Sequence, residues 1–167
     1  ILCHGLRASE VASLNIGSYD GKLLYIENTK DKKPRLVPLV LESRKAVETY
    51  LQHRSDEGEQ LHPDNPLLLS YHNRIPQYTR IHNPEGARLS YHGIYFAITK
   101  LGELAQLPNL HPHAFRHTFA TQLLIDGMDP THVKTLTGHE SERAFRRYTV
   151  RAKQAAAIAA FEKMHEQ

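Results

Sequence analysis

The chain has 167 residues, 40% of them hydrophobic, which suits one domain with a core of its own. Its 21 Lys+Arg against 18 Asp+Glu leave a formal charge of +3, too little to argue for nucleic acid by itself, and a single cysteine excludes a disulfide framework and a cysteine zinc site. No run approaches the ~20 apolar residues of a membrane span, and no signal-peptide pattern opens the chain.

The opening Ile1-Leu2-Cys3-His4-Gly5-Leu6-Arg7 lacks an initiator Met and reads as a helix end turning at Gly5, as in a fragment whose N-terminal part has been removed. Arg7 to Leu14 follows as a short helix with Val11 and Leu14 inward. Gly21 to Glu27 and Arg35 to Leu41 read as strands flanking the polar turn Asn28 to Pro34, hence a hairpin. Glu42 to Arg54 is an amphipathic helix with Ala46, Val47, Tyr50 and Leu51 on one face. Leu67-Leu68-Leu69 suggests a short strand, and Asn73 to Arg88, with Pro76, Pro84 and Gly86, an extended loop or irregular hairpin.

The remainder is helical. Ser90 to Leu107 aligns Ile94, Ile98, Leu101, Leu104 and Ala105 along one stripe. Pro112 to Asp126 directs Phe115, Phe119 and Leu123 to the core, and Gly127 ends it. Asp129-Pro130 opens another helix, closed by Gly138. Ser141 would cap a short helix through Tyr148, and Ala152 to His165 forms a separate alanine-rich terminal helix. The expected fold class is α+β, with a small antiparallel sheet beside a mostly helical body, in one domain over residues 1–167.

Basic residues cluster at Lys30, Lys32, Lys33 and Arg35, and again at Arg143, Arg146, Arg147, Arg151 and Lys153. Two such patches on one face would suit a phosphate backbone; two solvated stretches fit equally. His113 and Arg116, three apart, share a helical face largely opposite Phe115 and Phe119, and would point into a cleft. There the Arg would fork onto two phosphate oxygens while the His exchanges a proton. His139 follows Gly138 at a helix end, and Tyr148 lies in the basic setting Arg146-Arg147-Tyr148-Thr149. On its own each motif favours the plain structural reading, an exposed pair or a packing tyrosine. Glu10, three residues after Arg7, would either hold that arginine or a nearby histidine in place or form a surface ion pair.

Together these pieces resemble, in order and spacing, the catalytic set of the tyrosine recombinase (phage integrase) family. Gly5-Leu6-Arg7-Ala8-Ser9-Glu10 matches the motif around the first arginine, and LHPHAFRHTFATQLL, Leu110 to Leu124, is similar to the most recognisable block. Leu136-Thr137-Gly138-His139 matches the next block, and Tyr148 falls at the distance of the nucleophile. Lys32-Lys33-Pro34-Arg35-Leu36-Val37-Pro38-Leu39 resembles the strand after the hairpin lysine, which points to Lys30; Lys32 and Lys33 compete, and Thr29 and Asp31 replace the usual flanking glycines.

The resemblance implies a catalytic domain without its N-terminal core-binding domain, acting on double-stranded DNA in the cytoplasm, with no metal or cofactor. Other recombinase subunits would be partners, four assembling on paired sites. The tail around Ile158 and Phe161 would dock into a neighbouring subunit or pack on its own domain. Arg7, Arg116 and His139 would hold the non-bridging phosphate oxygens. His113 would take the Tyr148 proton, needed because a phenol of pKa ~10 is only about one part in a thousand ionised at neutral pH. Lys30 would protonate the departing 5′ oxygen. Alternatives are a type IB topoisomerase-like nicking enzyme, an inactive DNA-binding module, and a zinc site at His111, His113 and His117.

Overall fold

The computed structural model describes residues 3–27, 34–71, 75–139 and 141–165. The expected α+β class is the observed one: seven α-helices among the described residues surround one two-stranded antiparallel sheet. Helix α1 (Ala8–Ser13) precedes the hairpin of β1 (Leu23–Ile26) and β2 (Arg35–Pro38). Then come α2 (Leu41–Asp56), α3 (Gln77–His82), α4 (Tyr91–Leu104), α5 (Pro112–Ile125), α6 (Pro130–Thr137) and α7 (Glu142–His165). No helix of the described residues is long and apolar enough to cross a membrane.

Strand alternation decides which hairpin residues face inward. Leu24 pairs with Val37 and Ile26 with Arg35, so Arg35 shares the inner face of the sheet with three buried apolar side chains. That face joins Leu6, Val11 and Leu14 around α1 and Ile94 and Ile98 of α4 in the main core. A second cluster joins Ala120, Val133, Phe145 and Tyr148 where α5 meets α6 and α7. The signals at helix ends act as expected. Ser90 caps α4 by accepting from the Gly93 N–H, Asp129 caps α6 by accepting from the Thr131 N–H, and Gly138 closes α6 at φ +64°.

Several expectations need correction. The segment Asn73 to Arg88 is not an extended loop, since its described part holds α3 and a 3₁₀ turn (Pro84–Ala87). Its Arg88 is tied to Glu85, Asn15 and the Ala12 and Leu14 carbonyls and so braces the fold. Leu69 makes an isolated bridge to Arg88 instead of entering a strand, and Ala46 is exposed. On α4 the buried line is Ile94, Ile98 and Gly102, because a close approach of Leu110 occupies the space beside Gly102; Leu101, Leu104 and Ala105 stay exposed. Finally, Tyr148 and the alanine-rich tail lie on one continuous helix, since Thr149-Val150-Arg151 contains neither glycine nor proline to stop it. Asn28 to Lys33, with Lys30, Lys32 and Lys33, and Arg74 lie outside the described residues.

Candidate active site

Two left-handed glycines build the frame. Gly5, at φ +62°, packs its bare Cα face on the Phe119 ring, where a Cβ would sit 2.4 Å from a ring carbon. The carbonyl of Gly5 accepts a hydrogen bond from Nη1 of Arg116, reaching across from α5. The carbonyl of Gly138 accepts from Nη2 of Arg7 at 2.8 Å. Segments far apart in sequence thus lock each other's arginines. Among the described residues, hydrogen bonds of the Arg7 side chain use two of the five N–H donors of a guanidinium, and the group is 27% exposed. Arg116 is 2% exposed, on the same buried line as Pro112 and Ala120, so it sits deeper than the expected cleft position. Burial and the neighbouring Arg7 charge lower its pKa to about 10.

His139 stands beside Arg116, with both ring nitrogens 3.4 Å from Nη2. Thr137 Oγ1 lies 2.6 Å from the Val133 carbonyl and 2.6 Å from His139 Nδ1. A hydroxyl has one proton, and here it donates to the Val133 carbonyl in the manner of helical threonines. The hydroxyl therefore accepts from Nδ1–H, leaving the Nε2 lone pair of His139 for the site. Burial, then the charges of Arg116 and Arg7, hold this imidazole neutral, with a pKa lowered to about 3. His113 is exposed at the start of α5, stacked parallel to His111 with centroids 6.4 Å apart. Partial burial and the Arg116 charge push its pKa down too.

Tyr148 is 3% exposed, inserted among rings. Its centroid lies 4.6 Å from His117, 5.0 Å from His139 and 5.6 Å from Phe145. The histidines against it are thus His117 and His139, where sequence reasoning set His113. His117, considered earlier only as a zinc ligand, is placed by its contact with Thr121 (3.4 Å), and no group of described His, Cys, Asp or Glu residues is arranged to hold a metal. Arg147 and Arg151 extend the positive field over His113 and His117, and with Arg143 and Arg146 they line one open groove along α7.

Glu10 is no surface ion pair. Its side chain is 4% exposed and accepts from the Arg7 N–H, Arg7 Nη1, Arg35 Nη1 and Arg35 Nη2 at 2.6–3.0 Å. Burial raises its pKa, but the hydrogen bonds from Arg35 and Arg7 outweigh this and bring it to about 2. Arg35, taken from sequence as part of a basic surface patch, is instead 9% exposed and also donates from Nε to the Leu136 carbonyl at 2.9 Å. The signal for it was available: two residues before inward Val37, Arg35 must share that face.

A model described as the phage integrase family matches residues 1–155. Over 148 residues the chain is 35% identical to tyrosine recombinase XerC of Oceanobacillus iheyensis, covering 87% of this chain and 45% of that protein. Among solved structures, XerA recombinase superposes with a TM-score of 0.73 at 25% identity, over 95% of this chain and 55% of that one. The XerH site-specific recombinase bound to palindromic difH substrate, in its post-cleavage complex, gives a TM-score of 0.70 at 24% identity, over 96% and 42% of the two chains. The chain spans about half the length of the curated relatives it matches.

Proposed function

Because the chain belongs to the phage integrase family, we propose that it carries the catalytic centre of a tyrosine site-specific DNA recombinase, with Tyr148 as nucleophile. The observation that carries this reading is the meeting of Arg7, Arg116, His139 and Tyr148, drawn from four separate segments, in one positively charged cluster.

Such a cluster suits a phosphodiester. Attack in line concentrates negative charge on the non-bridging oxygens, and a preorganised donor aimed there is worth about 3–4 kcal/mol. The free N–H groups of Arg7 and the guanidinium of Arg116 supply that stabilisation. Burial keeps His139 neutral, with repulsion from Arg116 and Arg7 second; a bound phosphate offsets that repulsion, and the ring would take up a proton on Nε2 and become a third donor. The phenolic proton passes to a neutral imidazole. The family resemblance gives that role to His113.

The Tyr148 oxygen then bonds to phosphorus, the bond to the 5′ oxygen breaks, and a lysine of the hairpin, Lys30, protonates the leaving oxygen. The product is a 3′-phosphotyrosyl enzyme and a free 5′-hydroxyl. A 5′-hydroxyl from a second strand reverses these steps, so rejoining needs no ATP. The partners are double-stranded DNA, beside which the α7 arginines would lie, and further recombinase subunits in the cytoplasm, four on paired sites. Ile158, Phe161 and Met164 form an exposed apolar ridge at the end of α7 that a neighbouring subunit would cover.

The test uses a pool of nicked duplexes with a randomised core, so that no target sequence need be known. The nick lets the 5′-hydroxyl fragment diffuse away and traps the covalent complex. The expected result is a denaturant-resistant protein–DNA adduct that disappears in Tyr148→Phe. An adduct that survives this substitution refutes the assignment.

A further inference from the structure

Arg35 uses each of its three nitrogens inside the protein, two on Glu10 and one on the Leu136 carbonyl. Three of its five N–H donors are thus bound within the protein, and its side chain is only 9% exposed. Its partners show what it serves. Glu10 grips Arg7 through both the backbone N–H and Nη1, and Arg7 in turn grips the Gly138 carbonyl, next to His139. The plane of the Arg35 guanidinium also lies against Gly138, where a Cβ would come within 2.9 Å of Nη1. Leu136 and Gly138 both belong to the C-terminal turn of α6, whose unpaired carbonyls and negative dipole end attract cations. β2, α1 and α6 are thus joined by one closed circuit of charge-assisted hydrogen bonds, running Arg35, Glu10, Arg7, Gly138 and back to Arg35 through Leu136.

We infer that Arg35 is a positioning residue for the reaction: it fixes Glu10 so that the Arg7 guanidinium and the Gly138-His139 turn are held in register on the phosphate. The inference rests on the recombinase reading for its chemical consequence, while the geometric claim is separable. Without Arg35, one carboxylate still faces Arg7 but is free to rotate, and Arg7 follows it out of line. Lysine cannot replace arginine here, because one ammonium cannot bridge two carboxylate oxygens and a carbonyl on the opposite side.

The test combines kinetics with a spectroscopic readout. In single-turnover adduct formation on the nicked duplex pool, Arg35→Gln slows the reaction about 100-fold, the scale of loss from misplacing a reacting group by ~1 Å. Arg35→Lys, which keeps the charge and protects against a folding failure, recovers about 10-fold of that loss. Arg35→Gln combined with Arg7→Gln is no more than about 3-fold slower than Arg7→Gln alone, because both act through one group. Multiplied losses would overturn the inference. Independently of any chemistry, the Arg7 Nε–Hε resonance should show an ordered side chain in the parent protein and a mobile one in Arg35→Gln and Arg35→Lys, with Arg116 unchanged. An Arg7 that stays ordered in both variants also overturns it. If the parent forms no adduct while Arg7 loosens in the variants, the recombinase reading fails and the positioning geometry stands.

Discussion

Replacing Glu10 by Gln tests the heart of the site with a change of one atom. Glu10 accepts four hydrogen bonds, three from guanidinium groups and one from a backbone N–H, in a nearly dry setting. A carboxamide keeps one oxygen and turns the other acceptor into a donor facing the Nη groups of Arg35 or Arg7. Two charge-assisted bonds are lost at about 1.5–3 kcal/mol each. The two arginines, with Arg116 close by, are left without their shared counter-charge. This agrees with the roughly 3–5 kcal/mol usual for removing one partner of a buried ion pair. At about 2–4 °C per kcal/mol for a domain of this size, the melting temperature falls by about 10 °C. Urea denaturation of parent and variant, followed by circular dichroism, measures the difference directly. A loss below about 1 kcal/mol, the range of exposed pairs, would refute the reasoning and return Glu10 to the surface.

Three further outcomes follow from the same geometry. Gly5→Ala forces a Cβ into the Phe119 ring at a left-handed position and shifts the carbonyl that anchors Arg116; about 2–4 kcal/mol of stability is lost on unfolding, and adduct formation drops with it. Glu59→Gln, which breaks the buried Arg54–Glu59 pair under α2, costs a similar amount as Glu10→Gln, yet leaves the adduct rate of the folded protein within about 2-fold, as measured in single turnover. Stability also falls with acid. Burial lowers His4 to about 4 and His139 to about 3, and the net effect on Glu10 is a pKa of about 2, so the unfolded chain binds more protons than the folded one below pH ~6.5. The two histidines, discounted by half for partial exposure, remove about 2 kcal/mol by pH 5, so the melting temperature at pH 5 lies several degrees below that at pH 7.5; equal values would contradict the burial of these rings.

The sequence was most legible where local chemistry dictates backbone shape. Asp129-Pro130 and Gly138 bracket α6 because a cap, a missing N–H and a left-handed turn each leave a residue signature. The hairpin followed from two strand-like runs flanking a polar turn. The cluster of Arg7, Arg116, His139 and Tyr148 was legible only through the resemblance, since HxxR, GH and a tyrosine carry little information singly. What stayed hidden depends on tertiary packing. Arg54 lies on a helix that reads as amphipathic, yet it is fully buried, because Glu59 and the Pro66 and Leu67 carbonyls meet it from a loop whose path no local pattern gives. On charge alone Arg35 joins a basic patch, and only strand alternation turns it inward. Six-residue α3 is too short for a 3.6-residue period to show between Pro76 and Pro84. The burial of Tyr148 among His117, His139 and Phe145 depends on the angle at which α7 crosses α5.

The central claim is that Tyr148 itself takes the phosphate. Trypsin cleaves after Arg147 and Arg151, so digestion of the purified covalent complex releases Tyr148-Thr149-Val150-Arg151 as one peptide. After nuclease trimming, mass spectrometry should find that peptide carrying a nucleotide joined through its 3′-phosphate to the phenolic oxygen. A nucleotide on any other peptide, or one joined through its 5′-phosphate, would contradict the account.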